Sequence, residues 1–108
     1  MQINIKATKI KLTPEIKDYV QKKMDMLEKY LGGIQVINAD FEVEQITKHH
    51  QKGEIFRAEA NLEIPGKLLR VEKTENELFK AIDKVKDHLA EMIKEKKERM
   101  IDKRRKVK

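Results

Sequence analysis

Phe56-Arg57-Ala58-Glu59-Ala60-Asn61-Leu62-Glu63-Ile64-Pro65-Gly66-Lys67-Leu68-Leu69-Arg70-Val71 decides the fold. Positions 56, 58, 60, 62 and 64 are apolar and the residues between them are polar or charged, a period of two that predicts a strand with one buried face. Pro65-Gly66 is the strongest turn dipeptide of the chain, and Leu69 and Val71 predict a shorter strand returning beside the first. Upstream, Ile34 to Thr47 predicts a long strand that alternates from Ala39 onward, with Asp40, Glu42 and Glu44 on its outer face. Lys48-His49-His50-Gln51-Lys52-Gly53 then reads as a hairpin loop. Three sequential strands joined by hairpins pair antiparallel.

Two helical patterns and one further strand surround this core. Ile3, Ile5 and Ala7 alternate with polar neighbours, predicting a strand over residues 2–7. Thr13-Pro14-Glu15-Ile16 sets a capping hydroxyl before a proline at the first helical position. Ile16, Val20, Met24, Leu27 and Leu31 then form one apolar stripe, closed by Gly32-Gly33. The last helix is expected to begin near Thr74, with Glu77 completing a capping box, and to run to about Arg99 behind Leu78, Ile82, Val85, Leu89 and Ile93. The order is β-α-β-β-β-α: an α+β two-layer sandwich, a four-stranded sheet with two helices packed on one face. The strand that pairs with strand one is left open. The last helix exceeds the sheet in length, so its C-terminal turns are expected to overhang it.

Length and composition agree with a single thin domain, read as residues 1–99 with a basic tail at 100–108. The 108 residues are 39% hydrophobic and 41% charged, against usual values of about 45–50% and about 25%. Cysteine and serine are both absent. That removes disulfides, thiolate metal sites and cysteine or serine nucleophiles, and no motif sets a His and Asp beside Thr8, Thr13, Thr47 or Thr74. Adjacent His49-His50 lacks the spacing of a metal site, His88 reads as a boundary residue, and Met24 and Met26 read as core fillers. Glu42, Glu44, Glu59 and Glu63 are spaced as solvated strand positions. The expectation is no enzyme, no metal and no cofactor. No apolar run approaches the ~18 residues of a membrane span, and no signal peptide opens the chain, so a soluble cytoplasmic protein is expected.

The net charge of +6 is unevenly placed. Residues 94–108 hold nine Lys or Arg against three acids, the whole excess; residues 1–31 carry +3, residues 32–66 carry −3, and residues 67–93 are neutral. A basic end and an acidic middle suit a polyanionic partner approached from one side, and a solvated helix end is the alternative. Most of the aromatic residues fall at apolar positions, which favours phosphate and shape recognition over base stacking. The candidate contacts are Lys22, Lys23 and Lys29 of the first helix with Lys80, Lys84, Lys94, Lys96 and Lys97 of the last. Side-by-side helices would join them into one basic strip opposite an acidic sheet.

These segments resemble the ribosome hibernation promoting factor and ribosome-associated inhibitor A family. Met1-Gln2-Ile3-Asn4-Ile5, Ile10 to Thr13, and Tyr19-Val20 through Lys23 to Leu27-Glu28-Lys29-Tyr30 are similar to its first strand and helix. Glu77-Leu78-Phe79-Lys80-Ala81-Ile82-Asp83 resembles its stretch Asp-Met-Tyr-Ala-Ala-Ile-Asp, which Asp87 and Leu89 continue. Gly53 to Arg70 is similar to members with a long central hairpin. The resemblance implies binding to the small ribosomal subunit, through its rRNA, within the 70S ribosome. The implied site is the channel of messenger RNA and the A-site and P-site transfer RNAs. Translation would be silenced there and idle ribosomes protected under stress or in stationary phase. Lys23 and Lys97 match basic positions of the family. His88, Glu91 and Met92 depart from its pattern, which shifts the expected contacts to Lys94, Lys96, Lys97, Arg99 and the tail residues Lys103, Arg104 and Arg105. The resemblance also implies a short form without the pairing domain of long members, a monomer off the ribosome, and no DNA or membrane partner. A general structured-RNA binder or RNA chaperone resembling a double-stranded RNA-binding domain is the alternative, and an adaptor for an acidic protein partner is a third reading.

Overall fold

The computed structural model describes residues 1–46 and 53–106, with side chains described through Arg99. In chain order the elements are β1 (Asn4–Thr8), α1 (Pro14–Asp25), α2 (Glu28–Leu31), β2 (Asn38–Ile46), β3 (Ile55–Ile64), β4 (Lys67–Glu75) and α3 (Leu78–Lys106). The sheet order is β1-β2-β3-β4. The hairpin pairs β2–β3 and β3–β4 are antiparallel, and the partner of β1 is β2, in parallel, across the α1 crossover. All three helices lie on one face.

The buried face of the sheet is built from complementary sizes. Ala39 stands opposite Leu62 and Leu62 opposite Leu69; Phe41 stands opposite Ala60 and Ala60 opposite Val71. Small residues beside large ones let the helices seat close to the sheet without voids. Ile16, Val20, Met24, Leu27 and Leu31 cover it from one side and Ala81, Ile82, Val85, Leu89 and Ile93 from the other, nearly all of them fully buried. Each large aliphatic side chain so buried contributes roughly 1.5–3 kcal/mol.

Several boundaries differ from expectation, the first being β1, which spans Asn4–Thr8 rather than residues 2–7. The first helical stripe is two helices: Leu27 N–H bonds to Met24 O at 3.0 Å, an i→i−3 contact that tightens the turn. Met26 and Leu27 keep right-handed helical dihedrals, so the apolar spacing passes through the break unchanged. β2 begins at Asn38, four residues later than Ile34. Thr74 is a strand residue paired with Arg57, which makes β4 nine residues long, and α3 starts at Leu78. The ten-residue β3 offers ladder partners as far as Phe56, and those hydrogen bonds outcompete a helix cap. Instead the Glu77 carbonyl accepts from Ala81 N–H at 3.2 Å.

α3 runs to Lys106, past Arg99. The sequence has no Gly or Pro after Gly66, and residues 94–106 are mostly strong helix formers. Among the described side chains Ile93 is the last fully buried one of the helix, and the turns beyond it overhang the sheet as expected. They extend the long axis of the molecule to 58 Å. His49 and His50 lie outside the described residues. Among the described residues no helix is long and apolar enough to cross a membrane.

The cap of α1 is as read: Thr13 Oγ1 accepts from Ile16 N–H at 3.2 Å. Thr13→Ala is expected to cost about 1 kcal/mol, seen as a melting temperature about 4–8 °C lower.

Candidate nucleic-acid interface

α1 and α3 meet along a polar and aromatic seam. The Tyr19 and Phe79 rings pack with centroids 4.5 Å apart. Tyr19 O–H donates to Asp83 Oδ1 at 2.7 Å, and Lys23 Nζ lies 3.2 Å from the same oxygen and 5.3 Å from the centre of the Tyr19 ring. Lys23 is therefore half-buried and committed to joining the helices. The hydrogen bond to Asp83, with burial, pushes the Tyr19 phenol up to about 12. An ultraviolet titration should show Tyr19 ionising near that value, and Asp83→Asn should return it toward the ordinary 10.0; ionisation near 10.0 in both proteins would show the bond to be absent.

One turn beyond α1 the cations gather at α2. Lys29 Nζ lies 5.0 Å and Lys94 Nζ 4.6 Å from the centre of the Tyr30 ring. At the end of α2, Gly32 takes φ of 60°, and a Cβ built there would lie 2.8 Å from Lys97 Nζ. Lys97 thus rests against the C-terminal end of α2, where the helix carbonyls favour a cation. Among the described residues, none of Lys22, Lys29, Lys94, Lys96, Lys97 and Arg99 is ion-paired with a carboxylate. No carboxylate among the described residues offsets their charge.

Not every expected contact joins this group. Lys80 pairs with Glu77 at 3.5 Å, and Lys84 bonds to Glu75 at the end of β4, holding the Glu75 carboxyl below its ordinary value. Those two lysines serve the other flank of α3, so the basic strip is narrower than expected. Lys103, Arg104 and Arg105 continue the α3 backbone, and their side chains lie outside those described. Sequence reasoning did not single out Tyr30, or Lys86, whose side chain is 16% exposed and pairs with Asp87 at 2.7 Å. A signal existed: Phe79, Asp83, Lys86, Ala90, Lys94 and Lys97 recur at spacings of 4, 3, 4, 4 and 3, a second stripe on α3. Phe79, Asp83, Lys94 and Lys97 of that stripe touch α1 or α2.

The opposite face of the sheet carries the reverse charge. One row across it is Lys6, Glu42, Glu59 and Glu72, and the next is Thr8, Glu44, Arg57 and Thr74. Three carboxylates on adjacent strands repel, and Arg57 reaches all three as well as Glu44. Its guanidinium lies 2.6 Å from Glu42, 2.8 Å from Glu44, and 3.5 Å from both Glu59 and Glu72. Glu42, Glu44 and Glu59 are thus half-buried ion-pair partners, against the expectation of solvated positions; Glu63 is exposed as expected. Hydrogen bonds from Thr8 and Arg57 hold the Glu42 carboxyl below its ordinary value. Burial opposes the Arg57 charge, but its bonds to Glu44 and Glu42 raise its pKa further. Counting the outward charged positions of the four strands, three basic residues (Lys6, Arg57, Arg70) face six acids (Asp40, Glu42, Glu44, Glu59, Glu63, Glu72).

With this polarity in view, the sequence profile of the sigma 54 modulation protein / S30EA ribosomal protein family matches residues 3–101. The chain belongs to that family. Among S30EA relatives, the ribosome hibernation promoting factor of Klebsiella oxytoca is 27% identical over 100 residues, covering 93% of this chain and 97% of its own. The ribosome hibernation promotion factor of Deinococcus radiodurans is 26% identical over 105 residues, and this chain spans about half of it, 53%. The crystal structure of the Thermus thermophilus Protein Y N-terminal domain superposes with a TM-score of 0.75 at 30% identity, over 88% of this chain and 98% of that one. A ribosomal subunit interface protein from Coxiella burnetii, 19% identical, shares the fold with a TM-score of 0.70.

Proposed function

We propose that the protein is a ribosome hibernation factor. It occupies the messenger RNA channel and the A- and P-site transfer RNA positions of the small subunit, silencing and protecting idle ribosomes in the cytoplasm under stress or in stationary phase. Residues 1–99 form the binding domain and 100–108 a basic C-terminal tail. Off the ribosome it is a monomer, and it acts by occupancy, with no chemical step. The observation that carries this reading is the cation group of Lys29, Lys94 and Lys97, offset by no carboxylate among the described residues and set where α2 meets α3 on the face opposite the acidic sheet. A cationic face with an acidic back orients the protein toward phosphate and turns its other side away. The names of its relatives supply the ribosome as the polyanion.

Sedimentation with purified ribosomes and with an equal mass of unrelated structured RNA tests it. The protein is expected to travel with small subunits and intact ribosomes, with log affinity falling as log salt rises by roughly 0.9 or less per phosphate contact. Equal binding to both RNA samples would favour the general structured-RNA binder, and a flat salt response would overturn the electrostatic reading.

A further inference from the structure

We infer that Tyr30 is a positioning residue of this interface, its ring seating the Lys29 and Lys94 ammonium groups so that they meet RNA phosphates pre-arranged. The inference rests on the RNA-binding reading of this face and adds a residue that charge alone does not reveal. Tyr30 is half-buried near the end of α2, where the tightened turn at Met26 and Leu27 separates the last helical turn from α1. The two ammonium groups, one from α2 and one from α3, both lie within 5.0 Å of the ring centre, inside the range of a cation–π attraction.

A lysine ammonium has three donors, so one that rests on a ring keeps others for a phosphate. Free surface lysines lose rotamer freedom when they bind, and a lysine already held on a ring loses less. A single ring therefore registers cations from two elements against one another. A phenylalanine would do the same, because the attraction uses the ring face and the structure shows no hydrogen bond from the Tyr30 hydroxyl among the described residues. Leucine would keep apolar packing and remove the seat.

The test is a cycle of variants measured for affinity to purified small subunits and for thermal melting: Tyr30→Leu, Tyr30→Phe, Lys29→Ala with Lys94→Ala, and the triple Tyr30→Leu, Lys29→Ala, Lys94→Ala. Tyr30→Leu is expected to weaken binding roughly tenfold, two seated side chains being released, and to lower the salt slope. Tyr30→Phe is expected to bind within about twofold of wild type, and Tyr30→Leu to add nothing once both lysines are gone. If the lysine pair impaired binding while Tyr30→Leu did not, the seat would be refuted and the RNA face would stand. If the lysine pair bound like wild type, the RNA face itself would be refuted. If Tyr30→Leu weakened binding as much without the lysines as with them, the ring would act directly or through the fold, which overturns the positioning role.

Discussion

Lys94→Glu combined with Lys97→Glu is expected to abolish inhibition of translation in a purified system and to weaken small-subunit binding by more than about a hundredfold. Hydrogen bonds to charged groups contribute roughly 1.5–3 kcal/mol each, and each 1.4 kcal/mol or so is a factor of ten. Reversal also adds repulsion from the same phosphates. Lys94 is exposed and Lys97 half-exposed where they meet α2, so losing a cation–π contact and a cation at a helix end should lower stability by only about 1–2 kcal/mol and leave the protein folded. The control is Glu63→Lys with Glu72→Lys, which shifts net charge by the same amount in the opposite sense from the sheet face. Inhibition should survive it. Lys23 is the wrong residue for this experiment, because a glutamate there would face Asp83 across the 3.2 Å the ion pair now spans.

Arg57→Leu is expected to produce the largest loss of stability among changes to charged residues. The Arg57 side chain is 15% exposed and pairs with four carboxylates. Removing one partner of a largely buried ion pair costs about 3–5 kcal/mol, and solvent access to Glu72 places this case at about 3. For a domain of this size that is a fall in melting temperature of over 10 °C. The dependence on pH identifies the cause. In the wild type, Glu42 has a folded pKa below its ordinary 4.5. Its contribution is therefore present above pH 4.5 or so and is lost as pH falls through the folded value. In Arg57→Leu the row Glu42, Glu59 and Glu72 repels, and protonation relieves it. The gap in melting temperature between the two proteins should narrow from pH 7 toward pH 4. A constant gap would mean that lost packing, not charge, is the cause.

What could be read from the chain divides along a physical line. Local alternation reports which strand residues are buried, so Ala39, Phe41, Val43 and the series from Ala58 to Ile64 were legible, as were the turn at Pro65-Gly66 and the cap at Thr13. Contacts between distant segments leave no such trace. The parallel pairing of β1 with β2 depends on where α1 returns the chain, and the break at Leu27 is silent because the residues there stay helical in dihedral. Thr74 satisfied both a helix cap and a strand ladder, and the length of β3, a non-local fact, decided between them.

The candidate site was legible in its charges and illegible in its sides. Lys80, Lys84, Lys94 and Lys97 look alike along α3. Only the acids opposite them, Glu77 and Glu75 for the first two, separate neutralised lysines from those left for a partner. Arg57 hid for the same reason: as one basic residue in an acidic strand it reads as a solvated charge, and its role appears only when the register brings Glu42, Glu44, Glu59 and Glu72 around it.

The central claim is that the helical face, and not the sheet, meets the RNA of the small subunit. The chain has no cysteine, so a single one can carry an iron chelate that cleaves nearby RNA by hydroxyl radicals: at Met26, 36% exposed and three residues before Lys29 on the helical layer, or at the exposed Glu63 of the sheet. With each protein bound to ribosomes, Met26→Cys is expected to cut rRNA lining the messenger RNA channel strongly and Glu63→Cys weakly. Stronger channel cleavage from position 63 than from position 26, or cuts scattered over both subunits from each, would contradict the account.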